Sequence, residues 1–401
     1  RSHRKLVSAK KKLEGSGLIN DVRPFLKGAS WRNFRARYPE SANMYAYQCE
    51  VSKLVERACE REPESPVLKR AKEHLLRGQC DCAYWHGVFG GLYLPHLRDA
   101  VYSELISSEH LARNVLPEQG VRKGDFDLDG IEDIAMRSDT ITVALKPSHG
   151  GMVRALNVNQ KAVNLANVLA RHEEQYHQEV ASAPVKVSGE GEQAQTIHKS
   201  MPAKEAGLQR FLQYDWHERG LFQDHFISAD TTIEQFRFNR YHDEGDFVVE
   251  PYSIAATDEN SVRLEREGAV WRKGRRYSVT VSKTFVLDGH SLRVDYEILN
   301  RSRTALSTRC ACESNFAMSA GDAFDHFYYG EEGQLGRFKL VAALSSRNEI
   351  GLCDDWRQFR VDLRLSGKPD LWLFPLYTVS QSEGGFEKLF QGAVVTSVFK
   401  M

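Results

Sequence analysis

Between Tyr277 and Leu287 the side chains alternate: Tyr277, Val279, Val281, Phe285 and Leu287 are apolar, while Ser278, Thr280, Ser282 and Thr284 are polar. The same period returns in Leu292, Val294, Tyr296 and Ile298 against Arg293, Asp295 and Glu297. It returns again in Phe359, Val361, Leu363 and Leu365 against Arg360, Asp362 and Arg364. Alternation at period two gives a strand one buried and one wet face, the habit of antiparallel sheets. Several such strands with no helical stretch between them predict a large antiparallel β-sandwich.

The first third of the chain carries a different period. Met44, Tyr47, Val51, Leu54, Val55 and Ala58 recur every three or four residues, the spacing of one helix face. Ser65 before Pro66 marks an N-cap with proline at the first helical position, and Val67, Leu68, Ala71 and Leu75 extend a second stripe. A third helix is expected from Pro95, with Leu97, Val101, Leu105 and Ala112 facing inward. The expected fold is therefore multi-domain, α plus all-β: an α-helical domain over 1–118, an acidic linker over 119–134 and the sandwich over 135–401. A length of 401 residues suits two domains, and 41% hydrophobic with 27% charged residues is a globular balance. Val180 to Lys204, rich in Ala, Ser, Gly, Glu and Gln and without periodicity, reads as an exposed insertion. Trp216, Trp271, Trp356 and Trp372 are expected in the sandwich core, with a surface platform as the alternative for one of them.

Lys plus Arg and Asp plus Glu both total 54, so the formal net charge is zero. Such a chain has no long-range field for a polyanion, which argues against nucleic acid as a partner. No apolar run approaches the ~20 residues of a membrane helix, so a soluble chain is expected. Seven cysteines, an odd number spread over the chain, do not make a secreted disulfide framework. Cys80 and Cys82, like Cys310 and Cys312, are separated by one residue, tighter than the usual zinc pairs; this favours reduced structural thiols and a cytoplasmic setting. The sequence opens on Arg1 rather than Met, with Arg4, Lys5, Lys10, Lys11 and Lys12 and no apolar segment behind them. A basic helix surface inside a larger protein is expected there, not a signal peptide. Nothing in the periodicity demands a homodimer, and nothing opposes one.

Two stretches carry chemistry. Gln79 to Gly91 crowds Asp81, Tyr84, Trp85, His86 and three glycines into a few positions just after a helix. Glycines permit sharp turns and close backbone approach. An aromatic face can stack on the C–H face of a pyranose while Asp and His bond its hydroxyls; the other reading is a turn whose aromatics fill the core. Farther on, Asp125, Asp127, Asp129 and Asp133 stand at positions 1, 3, 5 and 9 of a run with Gly130 at position 6. Hard oxygen ligands at that spacing, with the Ile131 carbonyl at position 7, can wrap a structural calcium ion. Position 12 is Met136 rather than Glu, so an EF-hand is incomplete, and a solvated acidic linker is the alternative. His172, Glu173 and His177 have a spacing like that of a zinc-binding helix but lack its frame, and are expected on a surface helix or loop. Glu313 and Asn315 fall in a strand-like segment, and no motif supplies the His–carboxylate pair that an epimerase needs.

The run Gln79-Cys80-Asp81-Cys82-Ala83-Tyr84-Trp85-His86-Gly87-Val88-Phe89-Gly90-Gly91, continuing through Leu97 and Arg98, resembles the fifth conserved region of glycoside hydrolase family 57. Trp31-Arg32-Asn33-Phe34 and Arg37-Tyr38-Pro39-Glu40 resemble the segment upstream of it in that family. Lys146-Pro147, Gly150-Gly151, Ala162-Val163-Asn164 and Leu169-Ala170-Arg171 resemble the start of the family's sandwich. Asp224-His225-Phe226, Glu313-x-Asn315-Phe316 and Ser380 to Glu387 extend the likeness over nearly the whole chain, on the 4-α-glucanotransferase and α-amylase branch. The resemblance implies a galactose-mutarotase-like sandwich, and a substrate-binding set of Asp81, Tyr84, Trp85 and His86 facing an α-1,4-glucan or maltooligosaccharide. It also implies retaining catalysis by a glutamate nucleophile and an aspartate acid/base on an incomplete barrel, carboxylates ~5–5.5 Å apart.

Both of those residues belong to family regions upstream of the ones found here. No catalytic residue is assigned to this chain, which is expected to be inactive alone and to have the barrel of the same polypeptide as its partner. Family members often carry Asn-Asp where Asp81-Cys82 stands, which shifts the carboxylate by one position and leaves a thiol, a weak acceptor, in the second. No organic cofactor is expected. Two other functions compete: a stand-alone carbohydrate-binding module, and a sugar epimerase on a mutarotase-like sandwich, where positions like Glu313 and Asn315 face a sugar cleft.

Overall fold

The computed structural model describes residues 2–22, 30–87, 89–180, 182–185 and 202–401. They form two compact units, Arg1–Pro39 and Glu40–Met401. The first unit holds α1 (Ser2–Gly15), α2 (Ile19–Val22) and α3 (Trp31–Arg37). From Arg4 to Lys12 the basic run lies on α1, as expected, and Lys10 pairs with Glu14 one turn on at 3.6 Å. On α3 Trp31 stacks on Phe34 at 5.5 Å, and Phe34 meets Tyr38 at 4.5 Å, the neighbours that helical spacing brings together.

The helical part of the second unit comprises α4 (Pro39–Arg61), α5 (Pro66–Gly78) and α6 (Pro95–Arg113), with two short helices later, α7 (His177–Val180) and α8 (Ile233–Arg237). The predicted stripes are the buried ones: Met44, Val51, Leu54, Val55 and Ala58 on α4, Leu68, Ala71 and Leu75 on α5, Val101, Leu105 and Ala112 on α6. Each large aliphatic among them contributes roughly 1.5–3 kcal/mol. Ser65 takes the extended N-cap conformation ahead of Pro66, although its side chain makes no capping hydrogen bond.

The strands are β1 (Gly120–Gly124), β2 (Asp133–Arg137), β3 (Ile141–Lys146), β4 (Met152–Val158), β5 (Val163–Asn164), β6 (Gln223–Ile227), β7 (Ser253–Thr257), β8 (Ser261–Arg272) and β9 (Arg275–Asp288). They continue as β10 (Ser291–Asn300), β11 (Arg309–Phe316), β12 (His326–Gly330), β13 (Gly333–Arg337), β14 (Ala342–Leu344), β15 (Glu349–Asp354), β16 (Phe359–Arg364), β17 (Asp370–Ser382) and β18 (Gly385–Lys400). Among the described residues these make four sheets, in the orders β1-β2-β3-β4-β5, β10-β9-β8-β7, β14-β17-β18-β11-β6 and β13-β12-β15-β16. Neighbouring strands in every sheet run antiparallel, as the alternation requires.

One hydrophobic core joins all four sheets, with Val143 and Leu145 from the first, Val281 and Phe285 from the second, Leu371 and Val395 from the third, and Tyr328 and Leu352 from the fourth. The third sheet is covered on its other face too, where Trp372, Phe374, Val394 and Val398 pack with Ile227 and Phe236. That is why β17 and β18 read as nearly unbroken apolar runs while β10 and β16 alternate. Of the four tryptophans expected in the sandwich core, only Trp372 is there; Trp216, Trp271 and Trp356 are exposed.

Two expected boundaries move. Residues 119–134 are not a linker, because β1 pairs with β2 from Gly120↔Arg137 to Gly124↔Asp133. The acidic loop is thus the turn of the first hairpin, hidden from a periodicity argument because β1 has Val121 as its sole large apolar residue. Nor does the compact division fall near residue 118. Helix α6 is tied into the sandwich by Arg98, which is fully buried and donates to the Leu92 carbonyl at 2.5 Å, to Asn167 Oδ1 at 3.1 Å and to Gln391 Oε1 at 2.8 Å.

Residues 181 and 186–201 of the expected insertion lie outside the described residues, but Val180 and Ala203 on its flanks are buried with Leu208, Val379 and Phe386. No helix among the described residues is long and apolar enough to cross a membrane.

Candidate functional site

The Gln79–Gly91 loop follows the end of α5 and is shaped from within. Asp81–Ala83 and Gly91–Tyr93 form short 3-10 turns, and the Leu92 N–H donates to the Trp85 carbonyl at 2.8 Å, closing the loop on itself. Gly91 sits at φ +51°, where a Cβ would overlap that carbonyl oxygen; Gly87 lies under the Trp85 ring, where a Cβ would overlap the indole. Only glycine permits this folding back. Tyr84 is the internal strut: it is buried, its hydroxyl donates to the Gly78 carbonyl at 2.7 Å, and its own carbonyl accepts from Ser41 Oγ at 2.5 Å.

The expected binding residues therefore separate. Asp81 and Trp85 are exposed, Trp85 at 39%, and Phe89 joins them at 60%. Tyr84 does not face outward; its phenol is committed to loop structure. His86 is half-buried against Tyr93, ring centroids 4.3 Å apart. Its Nδ1 lies 2.9 Å from the Gly90 carbonyl, which can only accept, so Nδ1 carries the proton and Nε2 accepts from the Tyr176 hydroxyl at 3.1 Å. Phe89, Tyr176 and Glu174 were not singled out by sequence reasoning, and only Phe89 lies within the motif.

Behind His86 a layer of rings and hydrogen bonds holds the loop to the sandwich. Tyr93 donates to Glu174 Oε1 at 2.7 Å, and Tyr176 stacks on Phe386 at 6.0 Å. His177 is not on a surface helix or loop as expected. It is buried, stacked on Tyr214 at 5.6 Å, with Nε2 donating to the Val379 carbonyl at 2.9 Å. Burial pushes its pKa down, so the ring stays neutral. His172 instead faces Glu40 at 3.2 Å. His172, Glu173 and His177 are thus dispersed, and they form no metal-ligand group among the described residues.

The acidic turn between β1 and β2 brings Asp125, Asp127 and Asp133 together, one oxygen from each within 4.8 Å of the others. Gly130 at φ +87° makes the sharp turn, and the N–H groups of Asp129 and Gly130 donate to the Asp125 carboxylate at 3.1 and 3.0 Å. Asp129 Oδ1 accepts from the Ile131 N–H at 2.8 Å, and its Oδ2 lies 3.8 Å from Lys146 Nζ. Burial pushes the Asp133 carboxyl up to about 7, with Arg154 opposing and Asp127 adding to the shift. Lys146 Nζ stands 2.9 Å from Asp127 Oδ2 and 3.8 Å from Glu218.

A separate cavity of about 60 Å³ lies between α4, α6 and the first sheet, lined by Tyr47, Glu109, Arg113, Arg137, Arg154 and Asn157 among others; no residue of loop 79–91 lines it. Histidines and carboxylates do meet in this fold, contrary to expectation, where His217, His225 and Glu313 converge. They were illegible as a motif because a loop, β6 and β11 supply them. All three are buried.

Residues 29–112 match the model of the alpha-amylase/4-alpha-glucanotransferase middle domain, and residues 125–401 match that of the C-terminal domain of the same family. The 4-alpha-glucanotransferase of Thermococcus kodakarensis is 33% identical over 96% of this chain and 53% of its own length. Alpha-amylase 1 of Dictyoglomus thermophilum is 32% identical over 100% of this chain and 56% of its own. Among solved structures, 4-alpha-glucanotransferase from Thermococcus litoralis covers 98% of this chain and 53% of its own at a TM-score of 0.75 and 30% identity. The chain therefore spans about half the length of these relatives. It belongs to the alpha-amylase/4-alpha-glucanotransferase family and comprises that family's middle and C-terminal domains.

Proposed function

We propose that this chain is the C-terminal part of an α-glucan-active retaining glycosidase or 4-α-glucanotransferase. In this reading it supplies one wall of the substrate cleft and the sandwich that supports it. The observation that carries the proposal is the exposed Trp85 on its glycine-shaped loop, beside Asp81 and Phe89. Aromatic rings take the apolar face of a pyranose and the carboxylate takes hydroxyls. His86, fixed by Gly90 and Tyr176, backs the loop rather than acting as an acid or base. The nucleophile and acid/base belong to the barrel of the longer polypeptide, so the chain by itself turns over no glucan. Incubation with maltooligosaccharides should leave their length distribution unchanged; sustained hydrolysis or disproportionation by the purified chain would falsify this division of labour.

The acidic turn takes a calcium ion in the same reading. Three carboxylates crowd one point, and burial raises the carboxyl of one of them, Asp133, an arrangement that a hard divalent cation relieves. Asp125, Asp127 and Asp133 would hold the ion, with Asp129 and the Ile131 carbonyl as the remaining oxygens of the spacing. Lys146 is the competing cation at Asp127, and Glu218 offers it a second partner. The ion would brace the first hairpin and do no chemistry. Calorimetric titration with calcium should give heat for the wild-type chain and none for Asp127→Ala; equal heats would remove the site.

A further inference from the structure

Deep beside the third sheet, two histidine side chains each leave one nitrogen without a hydrogen-bond partner. His225, on β6, is fully buried and its Nδ1 stands 2.7 Å from the Asp243 carboxylate, with the Tyr241 hydroxyl 3.0 Å away. The carboxylate accepts, so Nδ1 carries the proton and Nε2 presents a bare lone pair. His217, in the loop before β6, repeats the arrangement: its Nδ1 lies 2.8 Å from the Glu218 carbonyl, which can only accept. Gln223 Nε2, 3.3 Å from the same nitrogen, has that carbonyl as its nearer acceptor at 2.8 Å. Both Nε2 atoms are buried and unpartnered. An apolar or empty surrounding would make two such acceptors costly.

The third member is Glu313 on β11. Its Oε1 accepts from Arg219 Nη1 at 2.7 Å and from Asn315 Nδ2 at 2.6 Å, while Oε2 points the other way, 3.7 Å from His225 Nε2. One donor atom from each of His217, His225 and Glu313 lies within 4.8 Å of the other two. Tetrahedral ligands at ~2.0–2.1 Å from zinc stand about 3.4 Å apart, so a small contraction closes the set.

We infer that His217 Nε2, His225 Nε2 and Glu313 Oε2 bind a divalent ion of the zinc class. Two imidazoles and one carboxylate suit a borderline transition metal rather than calcium or magnesium, and they leave one coordination position for water. The outer shell is already in place. Asp243 and the Glu218 carbonyl fix the two ring tautomers, and Arg219 with Asn315 fixes the carboxylate. Trp216 lies edge-on to both rings at 4.7 and 6.4 Å and is itself half exposed, which puts the surface one side chain away.

Cobalt(II) reports this geometry directly. The whole chain, stripped with chelator and titrated with cobalt, should develop intense visible ligand-field bands that saturate at one equivalent. Zinc should then abolish them, and excess calcium should not. His217→Ala, shown folded by circular dichroism, should lose the bands, whereas Asp127→Ala in the acidic turn should keep them. Because the wild-type titration needs no variant to fold, it decides alone. No bands and no retained zinc in the wild-type chain would overturn the inference, as would unchanged bands in folded His217→Ala.

Discussion

Loop 79–91 and the polar interior of the sandwich draw on the same kinds of side chain for opposite ends. In the loop, glycines and one buried tyrosine strut push Asp81, Trp85 and Phe89 outward, where their chemistry is available to a ligand. In the sandwich, charged groups are withdrawn and committed to one another. Lys283 is fully buried on β9, 2.5 Å from Asp224, and donates to the Gly150 and Phe222 carbonyls at 2.8 Å each. Asp215 is held well below the ordinary carboxylate range, because Arg171 and Arg219 outweigh its burial. The difference teaches that a polar residue in this chain is functional or structural according to whether its partners are already supplied.

Breaking the interior should have the largest effect. Lys283→Met leaves Asp224 as a buried uncompensated charge and should lower unfolding free energy by about 3–5 kcal/mol in urea titrations; a loss within about 0.5 kcal/mol, the range of ordinary surface substitutions, would mean the pair is not a structural anchor. Gly91→Ala should come next, with a loss of roughly 1–3 kcal/mol from forcing a side chain into a strained φ against the Trp85 carbonyl. It should also weaken glucan binding, since the loop must move. Trp85→Ala sharpens the contrast from the other side: melting should be unchanged, while maltooligosaccharide affinity falls by roughly 0.5–1.5 kcal/mol, about two- to tenfold.

The smallest effect is a slope. Asp133 titrates near 7 in the folded chain and near 3.8 when unperturbed. Between those values the folded chain holds a proton that the unfolded chain has released, so this group's contribution is full below about pH 4. It is then lost as pH rises toward 7. Asp133→Asn should remove that component in calcium-free buffer, read as a flatter stability profile than wild type over this window. Parallel profiles would mean that burial does not perturb Asp133.

What was legible follows from locality. The stripes of α4, α5 and α6 and the alternation of β9, β10 and β16 are encoded within single elements, and the loop motif within thirteen residues, so reading along the chain found them. Strand β1, short and with one large apolar residue, carries no such signal, and its hairpin reads as a linker along the chain. The outward and inward fates of Trp85 and Tyr84 were inseparable because both are aromatic neighbours; the Gly78 carbonyl that claims Tyr84 is visible only in three dimensions. The interior was the least legible part, since Arg219 meets Glu313 and Lys283 meets Asp224 across long stretches of chain. One local sign existed: Lys283 occupies the inward register between Val281 and Phe285, a cation where the pattern calls for an apolar residue.

The central claim is that the chain presents a sugar-binding wall without the catalytic groups. Saturation-transfer NMR with maltoheptaose tests it most directly. The wild-type chain should transfer saturation to the sugar's ring protons, Trp85→Ala should lose most of that transfer at unchanged melting temperature, and the sugar should remain intact throughout. Equal transfer in the two proteins, or none in either, would contradict the account.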